Sequence, residues 1–202
     1  EPTSDHLSLA SLLEFRFRPS SDSSLANMAL GNLLLAAYAE VLGDFAGAVQ
    51  AVARTLRCWA TVLPVQASST HLCARLADGT VVRGEFEVRT PGKPPIANLF
   101  LEPDEVRVPE AALEAIRAAD LIVLGPGGLY CRVLPSILPL PIRQAIRERR
   151  GKTAYICNTS TQPGQTDGFT VCAHVQEMLR YLGEGQLDYV LLNIQIPAED
   201  SK

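Results

Sequence analysis

The spacing of apolar residues changes twice along the chain and divides it into three stretches. The first is helical in period. Residues 7–18 read as a short helical entry that stops at Pro19, ahead of a polar loop from Ser20 to Ser24. Ala26 to Leu42 is apolar on nearly every face, with Asn32 and Glu40 the main exceptions, which predicts a buried helix. Asp44 then suits an N-cap, and Phe45, Ala48, Val49, Val52, Ala53 and Leu56 form one stripe of an amphipathic helix.

The middle stretch takes the period of strands. Trp59–Val65 reads as a strand, and Val82, Gly84, Phe86 and Val88 alternate with Arg83, Glu85, Glu87 and Arg89 as in a half-buried strand. Asp78-Gly79 is a turn signal between His71–Ala77 and Thr80–Arg89, so this pair is predicted to form an antiparallel hairpin. Ile96–Leu101 adds a further strand, giving an antiparallel subregion over 59–102.

From Pro109 the pattern becomes βα repetition. A helix to Ala119 leads into the apolar strand Leu121–Leu124. Two further strands follow, Ala154–Cys157 and Tyr189–Leu192, with a helix from about Phe169 to Leu182 between them. Pro135, Pro139 and Pro141 split the intervening helical region into a short helix and a second one from Pro141 to about Arg149. The alternation predicts an α/β protein with a mostly parallel sheet and a small antiparallel β segment in the middle. The expected organisation is one domain over residues 1–202.

Composition fits a folded chain: of 202 residues, 47% are hydrophobic and 20% charged. The net charge of −4 provides no overall field for a polyanion, so no nucleic-acid polymer is expected as partner. No apolar run reaches the roughly 18 residues of a membrane span, and no membrane partner is expected. The five cysteines are scattered without C-x-x-C spacing, as in a reduced, cytoplasmic protein.

In an open parallel sheet, ligands bind beyond the carboxyl ends of the strands. Gly125-Pro126-Gly127-Gly128-Leu129-Tyr130 follows one such end and precedes a helix. Its glycines suit either a phosphate cradle or a tight turn. Asn158–Gly168 follows another end and is rich in amides and hydroxyls, which read a base, ribose or sugar without adding charge. Thr166 or Asp167 is expected to cap the next helix, and Asp167 alone is placed to support Mg²⁺. Asn193 closes the last strand. Asn32, as a buried amide, needs partners from the backbone or a ligand. His71 and His174 read as structural, and Cys131, near a helix start, is expected to favour its thiolate. No acid/base or nucleophile pair is identifiable.

The motifs Gly31-Asn32-Leu33-Leu34-Leu35-Ala36-Ala37, Leu63-Pro64-Val65, Asp78-Gly79-Thr80-Val81-Val82-Arg83-Gly84-Glu85, Leu124–Tyr130 and Cys157-Asn158 with Thr161–Phe169 occur in this order. The ordered set resembles the CofD-like family, and its YvcK, or gluconeogenesis factor, branch more than the 2-phospho-L-lactate transferase branch. The resemblance implies a Rossmann-like, three-layer α/β/α fold and a nucleotide ligand at the strand ends. For the YvcK branch it implies a cytoplasmic regulator that binds UDP-sugars such as UDP-N-acetylglucosamine. Such a regulator is linked to gluconeogenic growth, cell shape and the cell wall. For the other branch it implies a Mg²⁺-dependent transfer of a phospholactyl group to the deazaflavin Fo in coenzyme F420 synthesis. A non-catalytic interaction protein with a decayed cleft is the third reading, and homo-oligomer formation is left open. Carried over to this chain, the implied ligand-lining residues are Asn32, Gly125, Gly127, Gly128, Asn158, Thr161, Gln162 and Asp167.

The chain also departs from the family pattern. Asn27-Met28-Ala29-Leu30-Gly31-Asn32 lacks the usual His and Ser, and Gly128, Cys131 and Arg132 replace three hydroxyl residues while adding a cation. The family's opening βα unit, with its Gly-rich phosphate loop, is not present among these residues. The expectation is therefore a truncated, shortened or degenerate member, N-terminally incomplete relative to the family.

Overall fold

The computed structural model describes residues 8–18, 24–66 and 69–194 and divides between Pro64 and Val65 into two compact units. In the N-terminal unit, α1 (Leu9–Glu14), α2 (Leu30–Leu42) and α3 (Phe45–Thr55) pack in sequence. α1 is shorter than its pattern predicts. Leu30 donates to the Phe15 carbonyl and Phe17 to that of Met28, so the chain after Glu14 pairs with the approach to α2. Asn27, at φ 63°, sits in the left-handed region and delays α2 until Leu30, four residues later than its hydrophobicity suggests. No residue of α2 is buried, which overturns the expected buried helix, and Asn32 is exposed in its first turn. Gly31 lets α1 approach: a Cβ there would lie 3.1 Å from the Leu13 carbonyl oxygen. Asp44 caps α3 as expected, accepting from the N–H groups of Ala46 and Gly47 at 3.2 and 2.7 Å.

The C-terminal unit holds two sheets. β1 (His71–Leu76), β2 (Val81–Arg83) and β3 (Ile96–Glu102) form an antiparallel sheet in the order β2-β1-β3. The Asp78-Gly79 turn is as expected, with Asp78 Oδ1 accepting from Thr80 N at 2.9 Å and Gly79 at φ 88°. Trp59–Val65 is not a strand. The strand predicted to run to Arg89 stops at Arg83, because Gly84 turns the chain at φ 97° into the short helix α4 (Glu85–Arg89). Helical geometry separates two residues that strand alternation would place on one face. Val88 is fully buried, whereas Phe86 is 80% exposed.

β4 (Leu121–Leu124), β5 (Lys152–Ile156) and β6 (Tyr189–Leu191) form the expected parallel sheet, with β5 central. α5 (Glu110–Ala118) precedes β4. After β4 come a π-helical turn (Leu129–Val133), α6 (Leu134–Ile137) and α7 (Leu140–Arg147), the break falling at Pro139 as its lack of an N–H predicts. α8 (Val171–Leu182) joins β5 to β6. One apolar core runs beneath both sheets, including Leu99 of β3, Leu124 of β4, Tyr155 of β5, Ile146 of α7 and Met178 of α8.

The parallel strands are buried on one side only, although their apolar runs would suit burial on both. Leu124 and Tyr155 face the core, while Leu121, Val123, Tyr189 and Leu191 on the opposite face are each about half exposed. Among the described residues no helix is long and apolar enough to cross a membrane.

Candidate functional site

Two loops meet beyond the carboxyl ends of β4 and β5. The first turns sharply at Gly125, whose φ of 87° and whose position, with a built Cβ only 2.9 Å from the Ile156 carbonyl oxygen, demand glycine. Gly127 and Gly128 do not need positive φ. Their N–H groups have no protein partner among the described residues, and Gly128 is buried. A Cβ on Gly127 would meet neighbours at ordinary contact distance, while one on Gly128 would press the Gln162 amide at 3.1 Å.

The second loop, 158–168, is braced from within. Thr166, fully buried, accepts from Gln162 N at 2.8 Å through Oγ1, and its own N–H donates to the Gln162 carbonyl at 2.9 Å. Asp167 Oδ2 accepts from Gly164 N at 2.7 Å. Neither residue caps α8, as one of them was expected to. That role falls to Thr170, whose side chain accepts from Ala173 N at 3.2 Å. The expected helix cap is thus replaced by loop bracing, and the rigid loop is what holds the amides in place.

The loop is also fastened from outside. Gly164 lies so close to Thr90 and Pro91 that a Cβ would fall 2.6 Å from the Thr90 carbonyl oxygen. Lys93 donates from Nζ to the carbonyls of both Thr90 and Gly164. Burial pulls its ammonium below the ordinary lysine range, opposed by the nearby Cys131 and Asp167.

Between α4 and these loops lies a cleft of about 720 Å³, lined by Glu85, Phe86 and Arg89 of α4 and by Gly128, Cys131, Arg132, Gln162 and Gln165 of the two loops and the turn after the first. Its charge is mostly cationic. Asn158 Oδ1, Gln162 Oε1 and Gln165 Oε1 are buried oxygens without a hydrogen-bond partner, a costly state that a donor from a ligand would relieve. A larger cleft of about 880 Å³ lies along β3, α7 and α8, and none of the expected site residues lines it.

A scan of family models matches residues 3–202 to "2-phospho-L-lactate transferase CofD". The chain belongs to the CofD family. It is 38% identical to the gluconeogenesis factor of Bacillus subtilis over 93% of its own length and 59% of the relative's. With the gluconeogenesis factor of Halalkalibacterium halodurans it is 39% identical over 89% and 55%. A crystal structure of a Bacillus halodurans protein matches at a TM-score of 0.88 and 38% identity, covering 95% of this chain and 60% of that one. This chain therefore spans little more than half the length of the relatives it matches.

Of the residues expected to line a ligand, Gly128 and Gln162 border the cleft itself, and Gly127 adjoins it. Gly125 shapes the turn, the half-buried Asn158 follows β5, Thr161 is exposed, and Asp167 braces the loop. Asn32 belongs to the N-terminal unit and, being exposed, is not the buried amide predicted. Among the described residues no group of three His, Cys, Asp or Glu could hold a metal, so a Mg²⁺ ion at Asp167 would depend on phosphate and water for its other ligands. Cys131 does not favour its thiolate as expected: burial first, then Glu85, pushes its pKa up to about 11. Tyr130 turns inward, donating to Glu177 at 2.9 Å, and burial holds its pKa well above the ordinary phenol. His174 is structural, its Nδ1 2.9 Å from the Thr170 carbonyl and its ring packed edge-on to Phe169.

Sequence reasoning missed Phe86, Arg89 and Lys93. The alternation that assigned the first two to a strand concealed a helix, and Lys93 carries no motif.

Proposed function

We propose that this chain is a nucleotide-sugar-binding regulator of the gluconeogenesis-factor type, taking UDP-N-acetylglucosamine or a close relative and performing no turnover. It would act in the cytoplasm, linking gluconeogenic growth to cell shape and the cell wall. The observation that supports this reading is one cleft at the strand ends in which unpartnered amide oxygens accompany two arginines. The oxygens suit sugar hydroxyls or a base N–H, and the guanidinium groups suit phosphate. UDP-N-acetylglucosamine at a hundredfold over its Kd is expected to stabilise the fold by ~2.7 kcal/mol, read as a rise in thermal midpoint. No shift with any UDP-sugar would overturn the reading.

A second reading, a Mg²⁺-dependent phospholactyl transferase, draws on the name of the matching family model and on Asp167 beside the loop. Product formation from a phospholactyl nucleotide and Fo, abolished by Asp167→Asn, would favour it. Binding of neither nucleotide class would favour an interaction protein whose cleft has lost its ligand.

A further inference from the structure

Phe86 is an aromatic ring left 80% exposed on a helix whose neighbouring Val88 is fully buried. A lone exposed apolar residue is ordinary. This one, however, lines a cleft that also holds two arginines and unpartnered amide oxygens. Its helix is held in place. Val88 anchors α4 in the core, and Thr90 closes the helix by donating its N–H and hydroxyl to the Phe86 carbonyl, both at 3.0 Å. Lys93 then straps the following turn to Gly164. The ring therefore stands on a fixed platform. Arg89, one helical turn on, has only a loose partner in Glu85 at 3.5 Å, with both side chains more than half exposed, so little holds its guanidinium away from an anion.

We propose that α4 is the second wall of the nucleotide site, where Phe86 stacks on the nucleobase and Arg89, together with Arg132, holds the phosphates. The inference rests on the nucleotide-sugar reading and adds the surface on which the planar part of the ligand lies. An exposed aromatic ring accepts the face of any base, while the side chains of Gln162 and Gln165, which line the same cleft, supply the polar groups that a base or sugar needs. Glu85, beside Arg89, limits how much negative charge the wall accepts and disfavours a ligand that is all phosphate.

The test is titration calorimetry of the 202-residue chain with UDP-N-acetylglucosamine, UDP, GDP and N-acetylglucosamine 1-phosphate, for the parent and for Phe86→Ala, Phe86→Tyr and Arg89→Gln. Phe86→Ala is expected to weaken UDP and the UDP-sugar about tenfold while leaving the base-free sugar phosphate within about twofold, and Phe86→Tyr to restore affinity. Arg89→Gln is expected to weaken every phosphorylated ligand. Both positions are exposed, and unchanged thermal midpoints without ligand would show that the variants fold. If the parent binds UDP-sugars and Phe86→Ala binds them equally well, the wall is overturned and the wider reading stands. If the parent takes GDP instead and Phe86→Ala loses it, the wall stands and the uridine reading falls. If the parent binds no nucleotide, both fall.

Discussion

Gly125 carries more of the site's geometry than its two glycine neighbours. It combines a left-handed backbone with an approach to the Ile156 carbonyl that admits no side chain. Gly125→Ala is expected to cost about 1–3 kcal/mol in urea unfolding, whereas Gly127→Ala, whose Cβ meets only ordinary contacts, is expected to stay within about 0.5 kcal/mol. Equal midpoints for the two variants would show that the turn relaxes freely. In the sequence alone the three glycines suit a phosphate cradle or a tight turn alike. Only φ and the distance to β5 separate the one that glycine must fill from the two that merely line the loop. Cys131 makes the same point in charge. Its place near a helix start suggested a thiolate, but a half-buried thiol facing Glu85 keeps its proton through the neutral range.

Among the elements, β5 and β6 are stapled by a residue that no motif marks. Asp188 accepts from Lys152 Nζ at 2.8 Å, from Thr153 N at 2.9 Å and from Arg149 Nη2 at 3.0 Å, joining the end of α7 to both strands. These donors hold its carboxyl well below the ordinary carboxylate range, the lysine contributing most. A carboxyl lowered in the folded state stabilises fully above its unfolded pKa of about 3.9 and loses that contribution as the pH falls towards its folded pKa. Asp188→Asn is therefore expected to melt below the parent at pH 7, with the gap narrowing below pH 4. A gap that stays constant down to pH 2 would remove the ionic part of the argument.

The same elements show what periodicity conveys. β4, β5, β6 and α8 were legible because their apolar spacing is local and their ends carry turn residues. α4 was not. Glu85–Arg89 alternates as a strand does, and the helix follows from the φ of Gly84, the burial of Val88 and the closing hydrogen bonds of Thr90. Trp59–Val65 failed for a related reason: among the described residues no strand pairs with it, and Trp59 is 98% exposed. Within the site, the loops following β4 and β5 were legible from strand-end position, while α4 and Lys93 reach the cleft by contacts that are remote in sequence.

At the scale of the molecule, the parallel sheet presents a core on one face and half-exposed Leu121, Val123, Tyr189 and Leu191 on the other. Parallel sheets are ordinarily covered on both faces. The half-exposed apolar side chains predict that the 202-residue chain binds a hydrophobic dye such as ANS well below its melting temperature. Val123→Thr together with Leu191→Thr should reduce that fluorescence without lowering the melting temperature. Dye binding unchanged by the pair would place the accessible apolar surface elsewhere.

The strap from Lys93 to Gly164 joins positions 71 residues apart. Such a closure demands chain entropy before it returns any stability, so it belongs among the late events of folding. In refolding followed by two signals, recovery of ligand affinity should therefore lag recovery of helical ellipticity, which makes the cleft a reporter of when the C-terminal unit is complete.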